Sequence, residues 1–248
     1  LNTEVERIVV EQGKAKKVIA GGKEFEADIV VANSDYQHTD QVLLEKSWRS
    51  YTPKYWDKRT MSPSSLLFYL GMDKRIEEIK HHNLFFDEDF QLHAEEIYSN
   101  PKWPSKPLFY VSSTSKTDPS VAPQGQENVF ILIPLAPGLE DSEEMREKYY
   151  HIVMDRLEKI TNQKVREHVI LKRSYAMSDF EKDYHSFKGN AYGLANTLLQ
   201  TAFFKPKLKS KKVKNLYYTG QLTVPGPGVP PSLISGQVVA REVAKEFG

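Results

Sequence analysis

The sequence predicts a mixed fold of the α+β and α/β classes, in which a domain with a mainly antiparallel sheet and flanking helices interrupts an incomplete α/β domain. Three observations predict it. Strands in the middle of the chain do not alternate regularly with helices, as they do in a parallel doubly wound sheet. Residues 1–32 form short β-prone segments broken by glycines. Residues 215–248 combine a strand, a glycine-rich loop and a helix.

The composition is ordinary for a soluble protein of 248 residues, with 40% hydrophobic and 27% charged side chains. The net charge is 34 − 33 = +1, so nucleic acid is not indicated as a partner. Residues 205–214 carry six lysines, which we interpret as a solvated loop. The absence of cysteine excludes disulfides and is compatible with the cytoplasm. No apolar run approaches the roughly 20 residues of a membrane-spanning helix.

The N-terminal segments predict a small antiparallel meander followed by a helix. The β-prone segments are residues 1–10, 15–20 and 24–32, with turns at Gly13 and at Gly21 and Gly22. The apolar segment 28–32 predicts a buried strand that ends at Asn33. Asn33, Ser34 and Asp35 favour turns and helix N-caps, so a helix is expected over residues 36–48.

The middle of the chain predicts a sheet and one long helix. Its strands are expected at residues 64–71, 108–113, 128–134 and 169–175. Asp141 or Ser142 is expected to cap the helix, and its apolar positions are Met145, Tyr149, Ile152, Val153, Leu157 and Ile160. Residues 189–206 also carry apolar side chains at helical spacing. They fit either an ordinary packed helix or the wall of a hydrophobic tunnel.

The C-terminal stretch predicts a strand at residues 216–219, a stiff loop at residues 224–231 and a helix from Ser232 onward. Four prolines and two glycines in the loop exclude a helix there and allow its backbone to approach a ligand closely. The start of the helix would offer free N–H groups to an anion or a polar ring. A purely structural turn explains the same residues equally well.

The same stretch resembles the C-terminal signature of bacterial-type phytoene desaturases, flavoproteins that dehydrogenate carotenoids. The matching positions are Asn215, Leu216, Tyr217, Gly220, Thr223, Pro225, Gly226, Gly228, Val229 and Gly236. The chain departs from the family pattern at Gln221, Leu222, Val224 and Pro227, which puts the subfamily and its substrate in doubt. The segments TDPSVAP and ENVFILIPLAP resemble recurring pieces of the family's substrate domain, so the resemblance spans most of the chain.

The resemblance implies FAD as the cofactor. It divides the chain into residues 1–38 and 186–248, which belong to an FAD-binding domain, and residues 39–185, which form the substrate domain. The residues that it places at FAD are Val5, Asn33, Gly220, Gln221, Pro225, Gly226, Gly228, Val229 and Pro230. The chain lacks the G-x-G-x-x-G strand-turn-helix that should bind the pyrophosphate. Since it also starts abruptly at Leu1, we expect a C-terminal fragment that retains FAD poorly.

For the intact enzyme, the resemblance implies desaturation of a long apolar polyene at a membrane surface, the inner face of the membrane being the expected one. Weak candidates for membrane contact are Phe85, Phe86, Phe203 and Phe204. The catalytic base is unknown, because Glu181, Asp183, His185 and Gln221 are all merely possible. No metal site is expected, since the seven histidines show no ligand spacing. The alternatives are a carotenoid isomerase, a retinoid saturase, an amine-oxidase-like enzyme, or a non-catalytic binding module.

Overall fold

Ten strands and six α-helices form along the chain, and the computed structural model describes all of residues 1–248. The strands are β1 (Val5–Glu11), β2 (Lys14–Ala20), β3 (Lys23–Glu26), β4 (Val30–Ala32), β5 (Ser64–Met72), β6 (His82–Phe85), β7 (Phe109–Ser112), β8 (Glu127–Leu135), β9 (Val169–Tyr175) and β10 (Leu216–Tyr218). The helices are α1 (Tyr36–His38), α2 (Pro53–Asp57), α3 (Phe90–Tyr98), α4 (Glu143–Thr161), α5 (Met177–Tyr184) and α6 (Val229–Phe247).

The chain divides into two units. Unit 1 comprises residues 1–62, 182–187 and 191–248, and unit 2 comprises residues 63–181 and 188–190. The first division therefore falls after residue 62, whereas the sequence placed it after residue 38. The reason is that Leu43, Leu44, Tyr51 and Trp56, all from residues 39–62, are buried in the core of unit 1.

In unit 1, β1, β2 and β3 form the predicted antiparallel meander. Gly13 has a φ of +75° and supplies the tight turn between β1 and β2. The strands β4 and β10 form a separate parallel pair, although the 183 residues from 33 to 215 lie between them in the sequence. Asn215 joins the two sheets, because its side chain accepts from the N–H of Ala15 (2.8 Å) and donates to the carbonyl of Asp28 (2.6 Å).

The helix predicted over residues 36–48 begins at the Asp35 cap but is not one regular α-helix, and it stops at Leu43. The α1 turn ends at His38, a π-helical turn follows over Thr39–Leu43, and a separate 3₁₀ turn covers Lys46–Trp48. The buried carboxylate of Asp40 accepts from the N–H groups of Ser50 (2.7 Å) and Tyr51 (3.2 Å). These contacts fold the chain back on itself, a long-range arrangement that local helix propensity does not contain.

Unit 2 is built on a five-stranded antiparallel sheet in the order β6-β7-β8-β5-β9. The α-helix α4 covers one face, where Phe68 and Ile131 pack with Tyr150, Val153 and Leu157. Ser142 caps α4 by accepting from the N–H of Met145 (3.2 Å). The predicted sheet strands, the long helix and the mixed fold class with a mainly antiparallel sheet are confirmed.

The helix suggested by the spacing in residues 189–206 does not form. The segment is irregular, with 3₁₀ turns at Leu198–Gln200 and Ala202–Phe204. Leu194 is buried, whereas Leu198, Leu199 and Phe203 are exposed. Extended backbone at Thr197 and Thr201 interrupts the helical path, so the apolar residues do not share one packed face.

Candidate functional site

The parallel pair in unit 1 brings two predicted site residues together. Because β4 and β10 run in the same direction, with Tyr218 opposite Ala32, both strands end at the same edge. The N–H of Thr219 extends the pairing by donating to the carbonyl of Ala32 (3.0 Å). A Cβ built on Gly220 would lie 3.4 Å from Asn33 Oδ1. In open α/β sheets, this edge is where ligands bind.

Three hydroxyl groups fasten the loop that follows β10. Ser235 Oγ, on α6, accepts from the N–H of Gly220 (2.8 Å) and from Thr219 Oγ1 (2.6 Å), and donates to the carbonyl of Ser232 (2.6 Å). Thr223 Oγ1 donates to the carbonyl of Gly220 (2.8 Å). The sequence analysis missed Thr219 and Ser235, because hydroxyl residues beside a helix start are also typical of simple capping.

The loop exposes part of its backbone at the start of α6. Gly220 and Gly228 both have a φ of +106°, which side chains disfavour. The predicted residues Pro225, Gly228, Val229 and Pro230 lie on the surface, whereas Gly226 is buried and Gln221 is half-buried. No hydrogen bond within the chain uses the N–H of Gly228 or Val229. This backbone is therefore available to a polar ligand.

The start of α6 offers fewer free N–H groups than an ordinary helix start, which has four. Pro230 and Pro231 follow Val229 and have no N–H, and the N–H of Ser232 donates to the carbonyl of Gly228 (2.9 Å). Only Gly228 and Val229 keep unpaired donors at this end. The site consequently fits an acceptor group that needs one or two hydrogen bonds, rather than a phosphate surrounded by a complete helical turn.

Val5 is not connected to these donors by hydrogen bonds. It starts β1 opposite Ala20, and no hydrogen bond joins it to the loop. Its neighbour Glu4 reaches His185, with Oε1 3.4 Å from Nε2, and the His185 ring stacks on His38 at 4.0 Å. The start of β1 is thus linked to the segment after Asn33. The assignment of Val5 to a cofactor remains a prediction.

The structure does not single out a catalytic base among the four candidates. Glu181 and Asp183 lie in α5 and are exposed. His185 is held between Glu4 and His38, and Gln221 belongs to the loop, with its carbonyl oxygen 3.1 Å from a Cβ built on Gly193. No three side chains of His, Asp or Glu converge in a way that would hold a metal ion.

Asp35, two residues after Asn33, is a carboxyl group beside this edge whose pKa is raised by burial. Its carboxylate accepts from the N–H groups of His38 (3.1 Å) and Phe187 (3.3 Å). Burial nevertheless dominates and raises the pKa of Asp35 to about 6. The sequence analysis identified Asp35 only as a helix cap.

We expect the Asp35→Asn substitution to remove a pH-dependent part of the stability. Since the pKa is raised from 3.8 to about 6 in the folded state, the stabilisation is complete below pH 3.8 and is lost as the pH rises through 6. The loss amounts to at most about 3 kcal/mol. Urea unfolding between pH 4 and pH 7 would measure it. An equal pH slope in the wild-type and Asp35→Asn chains would contradict this account.

The face of the unit 2 sheet opposite α4 carries a row of apolar side chains. Cross-strand pairing places Leu84, Tyr110, Leu132, Leu67 and Tyr175 side by side, one from each strand. In the next row, Tyr69 and Phe130 lie between Arg173 and Ser112, with their ring centroids 5.3 Å apart. Leu84 is 65% exposed and Tyr69 is 44% exposed. We call this surface the open sheet face.

The predicted membrane-contact residues differ in exposure. Phe85 is only 7% exposed and belongs to the core of unit 2, so it is a core residue and not a membrane contact. Phe203 is 88% exposed, and Phe86 and Phe204 are also exposed. None of the helices combines the length and the apolar composition needed to cross a membrane.

Comparisons with known proteins agree on one family. The profile of the family "Flavin containing amine oxidoreductase" matches residues 1–244. A carotenoid 3,4-desaturase from Haloarcula japonica is 40% identical over 220 residues, which are 89% of this chain and 44% of that protein. A zeta-carotene-forming phytoene desaturase from Myxococcus xanthus is 30% identical over 247 residues, which are 96% of this chain and 46% of that protein.

The solved structures show the same fold. An oxidoreductase from Methanosarcina mazei superposes with a TM-score of 0.62 at 19% identity, over 96% of this chain and 49% of that protein. The chain spans about half the length of the curated relatives that it matches.

Proposed function

Because the chain belongs to the flavin-containing amine oxidoreductase family, we propose that residues 220–230 bind the flavin ring of FAD and that the whole protein desaturates a polyene. The observation that carries this proposal is the unpaired pair of backbone donors, Gly228 N–H and Val229 N–H, at the edge where β4 and β10 end. A flavin ring presents acceptor atoms along one side, and two adjacent N–H groups suit them.

The residues of the site fit this cofactor. Gly220 and Gly228 have no side chain that would prevent a planar ring from approaching the backbone, and Asn33 adds a polar group at the same edge. The hydroxyl groups of Thr219 and Ser235 hold the loop in place before any ligand arrives. We propose that the Val5 strand completes the cofactor site, and that the 248 residues alone retain FAD weakly.

When bound, FAD supplies the redox chemistry by accepting a hydride from carbon. The residues of this chain contribute binding and orientation. Gly228 and Val229 would donate hydrogen bonds that orient the ring at the edge where β4 and β10 end. The rings of His38 and His185 stack beside Asn33, and the N–H of His38 donates to the Asp35 carboxylate.

A polyene fits the open sheet face of unit 2. A long conjugated hydrocarbon offers no hydrogen-bonding groups, so its binding must come from burial of apolar area. The rows that contain Tyr110, Leu132, Tyr69 and Phe130 supply such area across neighbouring strands. The names of the two similar desaturases support a carotenoid-type substrate. Phe203 and Phe204 are exposed aromatic residues suited to a membrane surface, where such a substrate dissolves.

The test is expression of the full reading frame in a host that makes phytoene, with analysis of its pigments. We expect a newly desaturated polyene. Tyr69→Lys should reduce its yield at least tenfold, because a charged side chain on the open sheet face raises the cost of burying a hydrocarbon there. Tyr98→Lys, on an exposed position of α3, is the matched control and should leave the yield unchanged. Unaltered pigments with a flavin-loaded protein would reject the polyene but not the cofactor.

A further inference from the structure

Unit 1 contains an apolar cleft beside the loop proposed for the flavin, and the two share Val224. It has a volume of about 610 Å³, which lies within the range of small-molecule sites. The cleft lies between the segment of residues 202–209 and α6. Its apolar lining comes from Phe203, Pro206, Leu208, Val224 and Val238.

One cation lines this cleft without a partner. Lys205 is 4% exposed, and its Nζ makes no hydrogen bond and no ion pair. The Nζ atom of Lys205 lies against the loop that precedes α6, because a Cβ built on Gly226 would lie 3.5 Å from it. Burial lowers the pKa of the Lys205 ammonium. A buried cation without an acceptor is costly, and a ligand with a negative charge would relieve that cost.

The other charged side chains around the cleft are already paired or exposed at its rim, so the buried part of the cleft has one positive charge to neutralise. Lys209 forms an ion pair with Glu246, which also accepts from the Tyr217 hydroxyl (2.6 Å). Lys207 is exposed at the rim, and Glu242 adds a negative charge there. Lys205 is therefore the one buried charge left to pair, and an ammonium offers three donors to an acceptor such as a carboxylate.

We propose that this cleft binds an amphiphile consisting of an unbranched apolar chain with one terminal carboxylate. The carboxylate accepts hydrogen bonds from Lys205 Nζ, and the chain lies against the apolar wall formed by Leu208, Val224 and Val238. The cleft borders the proposed flavin loop at Val224, but it does not include the donors of Gly228 and Val229. Its binding of a carboxylate is argued from Lys205 and does not depend on the proposed function.

Calorimetric titration of the protein made from the full reading frame with decanoate, decanol and decyltrimethylammonium tests the proposal. We expect one decanoate per chain, decanol at least tenfold weaker and no binding of the cationic amphiphile. Lys205→Met should reduce decanoate affinity to that of decanol. The same variant should keep or raise the melting temperature without ligand, because it replaces an unpaired buried cation by an apolar side chain.

Two further variants complete the design. Lys214→Gln removes an exposed lysine of the same basic segment outside the cleft and should leave the preference for decanoate intact. Val238→Trp fills the cleft and should weaken both decanoate and decanol, even if Lys205→Met fails to fold. Equal affinity for decanoate and decanol, a preserved preference in folded Lys205→Met, or binding unaffected by Val238→Trp would each overturn the proposal.

Discussion

Gly189→Ala is expected to lower the free energy of unfolding of unit 2 by about 2 to 5 kcal/mol. The φ of Gly189 is +56°, which costs an alanine roughly 1 to 2 kcal/mol. Its Cβ would also lie 2.7 Å from Met177 Cβ and 2.8 Å from the Met177 carbonyl oxygen. Because one of these atoms is backbone, relief requires movement of the chain at the start of α5, which costs roughly 1 to 3 kcal/mol more. Urea unfolding followed by circular dichroism measures the change.

Gly125→Ala is the matched control for this prediction. Gly125 also has a positive φ, +79°, but a Cβ built there meets no atom within 4 Å. Its substitution should therefore cost only the backbone term, roughly 1 to 2 kcal/mol. Equal unfolding midpoints for the two variants would show that Met177 does not constrain Gly189.

Gly228→Ala, in the protein made from the full reading frame, is expected to weaken FAD retention about thirtyfold. Gly228 has a φ of +106° and a ψ of +158°, a region that is almost restricted to glycine. An alanine would cost about 2 kcal/mol in this conformation or would turn the N–H groups of Gly228 and Val229 away from the ligand. The flavin absorbance that remains after gel filtration measures the loss.

Gly22→Ala controls for general strain, since Gly22 has a φ of +69°, lies in the turn before β3 and has open space around it. It should leave the flavin content unchanged. Titration of the 248 residues alone with FAD completes the comparison, and tight stoichiometric binding would contradict the expected weak retention. An unchanged flavin content in Gly228→Ala would remove the loop backbone from the cofactor site.

Local patterns predicted those parts of the fold whose cause is local. Glycine turns predicted the meander, near-continuous apolar runs predicted β5 and β8, and Ser142 with its following acidic turn predicted α4. The prediction failed at residues 36–48 because Asp40 binds the backbone of Ser50 and Tyr51 instead of extending a helix. It failed at residues 189–206 because apolar spacing does not reveal which side chains find a partner surface.

The candidate site, too, was predicted from the sequence only in part. The glycine and proline content of residues 224–231 indicated close approach of a backbone, and Asn33 and Gly220 were both selected. That Pro230 and Pro231 leave only two free donors depends on where α6 begins, which the sequence placed at Ser232 and the structure places at Val229. The Ser235 contacts and the unpaired Lys205 required coordinates, because their partners are distant in sequence or absent.

The sequence by itself determined the class of fold, the family resemblance and the glycine- and proline-rich loop of residues 224–231, since each depends on residue types at short spacing. Only the tertiary structure decided the pairing of β4 with β10, the division after residue 62, the open sheet face and the cleft at Lys205. These features depend on contacts between segments that are far apart in the chain. Packing and hydrogen bonding between such segments determine them, and local propensity does not.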